Sequence, residues 1–91
     1  MSYRAPLAEY QFLFDHVVGF DAVTAHPRFE DAGADMTAAI LGEAAHLCEE
    51  KIAPLNRAGD LTPASLENGV VRTSPGFAEG YKAIAEGGWV G

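Results

Sequence analysis

The sequence is short of most features that announce chemistry. It has one cysteine, Cys48, so no internal disulfide can form and a secreted disulfide framework is excluded. It has six Lys and Arg against thirteen Asp and Glu, a net charge of −7. A phosphate backbone repels such a chain, which argues against nucleic acid as a partner. An anionic membrane surface repels it for the same reason. No stretch approaches the ~18 apolar residues of a membrane span, and the opening Met1–Phe12 has no apolar core of signal-peptide length. Repeats and low-complexity tracts are missing. The compartment reads as cytoplasmic, and the excess acid serves solubility.

What remains is a globular composition, 48% apolar and 10% aromatic, too hydrophobic for disorder. Ninety-one residues make one small domain at most, burying roughly 60–65% of its unfolded surface.

The apolar spacing predicts an all-α chain of about three helices. The first runs over about 7–18: Pro6 opens it, Leu7, Tyr10, Phe14 and Val17 share a face, and Gly19 ends it. Residues 20–30 read as irregular, with Phe20 and Phe29 as anchors and His26 held extended by Pro27. The second and longest helix spans about 32–53, N-capped by Asp31. Met36, Ile40, Ala44, Leu47 and Cys48 mark its apolar face, extended by Ile52 and Leu55, opposite Asp35, Glu43, Glu49 and Glu50. Pro54 ends or kinks it, and residues 55–60 follow as a short turn of helix and a loop. Near 64–73, Asn68-Gly69 ahead of Val70-Val71 predicts a short hairpin or an ordered extended loop. The third helix spans about 75–86, opened by Ser74-Pro75 and stopped by Gly87-Gly88. Phe77, Tyr81, Ile84 and Ala85 form one face of it. Gly76, Gly80 and Ala83 leave another nearly bare, at a propensity cost of about 1 kcal/mol per interior glycine. Such a face implies close backbone approach to a neighbour. The end at Gly91, two residues after Trp89, reads as a cut within a larger domain.

Chemical constellations are sparse. Glu43 and His46 have the Glu-x-x-His spacing of bundle metal sites, but there is no second copy, and His46 with Glu50 reads as a surface pair. A metal-binding bundle rests on those residues alone. Cys48 lies beside two glutamates, the wrong sign for a reactive thiolate, and reads as a small core residue. Asp15, His16 and His26 offer acid–base groups without a nucleophile motif. Gly87-Gly88-Trp89-Val90-Gly91 follows a helix, whereas a phosphate-cradling loop follows a strand. It reads as a helix stop. No residue is therefore assigned a catalytic, cofactor-binding or metal-binding role.

Three segments taken in order carry a resemblance. Ile52-Ala-Pro-Leu-Asn-Arg-Ala-Gly-Asp60, Leu66-Glu-Asn-Gly-Val-Val71 and Gly80-Tyr-Lys-Ala-Ile-Ala-Glu-Gly-Gly-Trp89 resemble the N-terminal region of acyl-CoA dehydrogenases. They look most like the larger bacterial branch that includes 3-methylmercaptopropionyl-CoA dehydrogenases. Tyr3-Arg-Ala-Pro-Leu7 looks like that branch's N-terminal extension. The resemblance implies residues 1–30 as an extension and 31–91 as an N-terminal helical domain cut short at its C-terminal end. It implies a parent flavoenzyme that removes hydrogens from Cα and Cβ of an acyl-CoA, holding FAD mainly through later domains and a neighbouring subunit. The remaining domains of that parent, a homo-oligomeric assembly and the acyl-CoA would be the partners. The family's catalytic glutamate lies in its C-terminal bundle, so no family site residue carries onto these positions and no cofactor is expected in this chain. The competing expectation is a stand-alone helical interaction module that dimerises through exposed apolar faces, since Phe12, Phe14, Phe77, Tyr81 and Trp89 are many aromatics for one small core.

Overall fold

The computed structural model describes residues 2–90. The architecture is mainly helical with one two-stranded antiparallel hairpin, as the periodicity predicts. The chain divides into two compact units. One is Arg4–Ala45, and the other begins at His46 and includes Ser2 and Tyr3.

In the first unit, α1 (Leu7–Phe12) continues without a break as a π-helical turn, π1 (Leu13–Val18), and ends at Gly19 in the left-handed region, φ 67°. Only glycine takes that conformation without a Cβ clash. Residues 20–30 are more ordered than the sequence implies: α2 (Phe20–Thr24) and a 3₁₀ turn at Pro27–Phe29 replace an irregular stretch. The cause lies in local hydrogen bonds that periodicity does not register. Thr24 Oγ1 donates to the Asp21 carbonyl at 3.3 Å, and His26 Nδ1 accepts from the Arg28 amide at 3.1 Å. His26 itself is extended, ψ 131°, as the following proline dictates. Phe20 does anchor the segment, stacking on Phe14 at 5.0 Å. Phe29 stays exposed, its ring 5.8 Å from both the His26 ring and the Arg28 guanidinium beside it.

The long helix starts at Ala34, later than 32, and Asp31 is not its cap. Instead Thr37 closes the entry, its amide bonding to the Gly33 carbonyl and its hydroxyl to Ala32, at 2.9 and 3.0 Å. α3 (Ala34–Leu47) passes into π2 (Cys48–Ile52) and then α4 (Ala53–Leu61). Pro54 therefore neither ends the helix nor leaves residues 55–60 as a loop. Proline cannot donate to the carbonyl four residues back, and its ring crowds that carbonyl. The wider π turn just before it absorbs the mismatch, and Pro54 becomes a first-turn residue of α4, where its missing donor costs little. The apolar face of α3 exists, but Met36 and Ile40 on it remain exposed, while Leu47 and Cys48 are half-buried.

In the second unit, β1 (Ser65–Glu67) pairs with β2 (Val70–Arg72), Leu66 facing Val71. Asn68 and Gly69 both have positive φ, 52° and 79°, as a tight type I′ turn requires. α5 (Phe77–Glu86) starts two residues after the predicted Pro75 because Gly76 sits at φ 85°. Ser74 does not cap it. That residue is buried, and its carbonyl accepts the Phe77 amide at 3.2 Å. The stop at Gly87-Gly88 is as read. Gly88 is left-handed, and the amides of Gly88 and Trp89 return to the carbonyls of Ala85 and Ile84, which is a Schellman motif.

The bare face of α5 meets its neighbour within the chain. A Cβ on Gly80 would lie 2.5 Å from Leu55 Cδ1, and one on Gly76 would lie 2.7 Å from Leu55 Cδ2. Gly59 repeats the arrangement from the other side, 2.9 Å from the Phe77 ring. Gly80 is itself buried. Because the two glycines hold both methyls of Leu55, turning that side chain away from one drives it into the other.

The Gly80→Ala substitution is therefore expected to destabilise the chain by about 1 kcal/mol, overpacking outweighing the helix gain. Gly42→Ala, in α3 with nothing within 4 Å of the added methyl, is expected to stabilise by about the same amount. Placing Gly80→Ala in a Leu55→Ala background should make it neutral or stabilising. Urea unfolding measures all three, and an unrelieved loss in the double variant would refute the Leu55 contact as the cause.

Candidate functional site

The residues singled out for chemistry do not converge. His46 Nδ1 lies 3.6 Å from Glu50 Oε1 on the exposed side of the helix, 68% and 67% accessible, which makes the surface pair. Asp15 Oδ1 accepts from Gln11 Nε2 at 2.9 Å. His16 lies against Phe12, ring centroids 5.1 Å apart, and His26 is engaged in its own turn. Cys48 is a half-buried free thiol. Among the described residues no three His, Cys, Asp or Glu side chains are grouped so as to hold a metal ion, and no helix is long and apolar enough to cross a membrane.

What the fold does build is a groove. α4 and α5, held together through Leu55, Gly59, Gly76 and Gly80, leave an open apolar channel of ≈ 750 Å³ on the other side of their contact. Ile52, Leu55 and Gly59 form one wall, and Phe77, Tyr81 and Ile84 the other. Pro63, Ala64 and Ser74, at the two feet of the hairpin, close one end. Asn56 and Asp60 add polarity along α4, and Asp60 is the lone charged residue in the lining. Periodicity reached Ile52 and Leu55 but missed the rest of this wall, because Pro54 broke the reading before Asn56 and Gly59 could repeat the pattern. The signal was the i, i+3, i+4, i+7 spacing itself.

A dinucleotide such as FAD needs donors or cations for its pyrophosphate. The groove and the Gly87-Gly88 pair do not fit one. Asp60 puts a negative charge in the groove, and the glycine pair has no free cradle, since the amides of Gly87, Gly88 and Trp89 are all bonded to helix carbonyls. The Trp89 ring folds back over Gly87, 2.8 Å from where its Cβ would be. Gly91 lies outside the described residues.

Comparison with known proteins adds the decisive observation. No family model matches the chain. Over 89 residues, 98% of its length, it is 34% identical to a curated bacterial enzyme. The chain is similar to 3-methylmercaptopropionyl-CoA dehydrogenase of Ruegeria pomeroyi. That similarity supports the acyl-CoA dehydrogenase family read from the sequence. It spans only 15% of the relative's length.

Because His46 and Glu50 form an exposed pair worth at most about 1 kcal/mol, His46→Ala should change stability by less than about 0.5 kcal/mol. Adding zinc should leave the melting temperature of both forms unchanged. A zinc-dependent rise that disappears in His46→Ala would instead establish a metal site there.

Proposed function

We propose that this chain is an N-terminal helical portion of a flavin-dependent acyl-CoA dehydrogenase, and that its role is scaffold. The observation that carries this is the pairing of 34% identity along nearly the whole chain with coverage of only 15% of the relative. The exposed apolar side chains support it. Phe12, Val17, Met36 and Ile40 in the first unit, and Leu61, Tyr81 and Val71 in the second, are all more exposed than covered or nearly so. Faces of that kind are written for more protein than is present here.

On this reading the parent enzyme oxidises the Cα–Cβ bond of an acyl-CoA thioester. The flavin supplies the hydride-accepting chemistry when bound. It would be held mainly by residues outside this chain, since the groove and the Gly87-Gly88 pair do not fit it. The contribution of residues 2–90 is to support the neighbouring domains and close one side of the substrate cavity in a cytoplasmic homo-oligomer. No residue here is given a catalytic, cofactor or metal role, and the isolated chain is inactive.

The same exposed faces favour a second reading, a stand-alone module that pairs with a copy of itself. Electrostatics weigh against it in the first unit, where Arg4–Ala45 holds seven acids and two bases. Like charges across a docked surface cost binding energy and slow encounter.

The purified chain is expected to show no flavin band near about 450 nm and no reduction of an electron-accepting dye with acyl-CoA. Stoichiometric flavin or turnover would refute the scaffold role. Light scattering separates the second reading: a defined dimer over a wide concentration range would favour it.

A further inference from the structure

The groove between α4 and α5 has the period of a helix. On one wall Ile52, Leu55 and Gly59 fall at i, i+3 and i+7, and on the other Phe77, Tyr81 and Ile84 fall at i, i+4 and i+7. Each stripe is roughly 10 Å long, two helical turns. Stripes with that repeat offer holes matched to side chains arriving at the same repeat. A strand, with a period of two, does not match them. Nor can α4 and α5 fill the space themselves, because Leu55 and Phe77 are already seated against glycines of the opposite helix.

Charge then selects among helices. Asp60 is the one charged side chain lining the groove, is exposed, and has no ion pair or hydrogen bond through its carboxylate among the described residues. We propose that this groove seats an amphipathic α-helix, supplied by another polypeptide sequence, that carries Lys or Arg where it meets Asp60. The chain's own first helix has the apolar content but the wrong charge: residues 7–18 contain Glu9 and Asp15 and no Lys or Arg. A second copy of the chain would also bring its own −7. The mode is helix-in-groove recognition, with apolar anchors giving affinity and the rim charge fixing register. It rests on residues 52–84 alone and stands whether or not the parent-enzyme reading does.

The test uses the full chain and two labelled Leu- and Ala-rich helical peptides of about 15 residues, long enough to hold a helix in water. They are identical except for Lys or Glu at one edge of the apolar face. Fluorescence anisotropy should show the Lys peptide binding about two- to fivefold more tightly, the range an exposed ion pair supplies. Asp60→Lys, an exposed change that should leave the melting temperature unaltered, should invert the preference. Amide NMR shifts should gather on Ile52–Asp60 and Phe77–Ile84. Four results would overturn the proposal: binding of neither peptide, equal binding of both that Asp60→Lys leaves equal, shifts that gather elsewhere, or a concentration-dependent dimer whose interface maps to the groove, which would make a second copy the occupant.

Discussion

One side chain fixes the second unit. Leu55 stands with a methyl toward Gly80 and a methyl toward Gly76, and this contact brings α4 and α5 within reach of each other. It depends on an absence: any Cβ at either glycine would occupy the space the leucine fills. Close approach achieved in this way has a geometric consequence. Each helix sets a large residue against glycine of the other, Leu55 on Gly76 and Gly80 and Phe77 on Gly59, and Tyr81 and Ile84 with Ile52 of π2 are left to line an open groove. The groove is the remainder left by glycine packing.

The same economy explains why the molecule has so little interior. Ala45, Ser74 and Gly80 are buried, and no large side chain is fully so among the described residues. Burial stabilises by about 0.8 kcal/mol per methylene, and small residues have few to bury. Meanwhile Phe12, Val17, Leu66 and Tyr81 keep most of their surface in water. A sequence that is 48% apolar and yet leaves so much of that surface exposed has hydrophobic free energy still to be realised by contact with a partner surface.

The parts legible in the sequence were those decided within a few residues by backbone conformation. Gly19 and Gly88 end helices because each takes positive φ, and Asn68-Gly69 turns the hairpin for the same reason. The parts that were not legible depend on where a carbonyl points. Pro54 reads as a stop or a kink, and π2 moves the hydrogen-bond register ahead of it so that α4 continues to Leu61. Ser74-Pro75 has the composition of a helix start, yet Gly76 takes a left-handed turn and delays α5 to Phe77. Asp31 has a capping side chain, but the helix begins three residues later, at Ala34. In each case a local preference was real and the neighbouring backbone geometry decided otherwise. The groove was lost to the same error, because its wall continues from Ile52 and Leu55 into residues read as a short turn and a loop.

The lack of a constellated site follows from how the polar groups are used. Gln11 holds Asp15, Arg28 uses His26, Glu50 sits by His46, and Lys82 reaches Glu86 at 3.8 Å. All are partners on the same or the adjacent turn, and each pair faces solvent, where its interaction is screened and weak. Catalysis needs the opposite arrangement: groups brought from distant parts of the chain into a dry cavity, where a low dielectric makes their charges count. Among the described residues no large side chain is fully buried, so they do not enclose such a medium by themselves. The apolar surfaces here can contribute to a water-excluding site by being one wall of it, and Asp60, the one charged residue lining the groove between α4 and α5, is placed where it discriminates among helices that dock there.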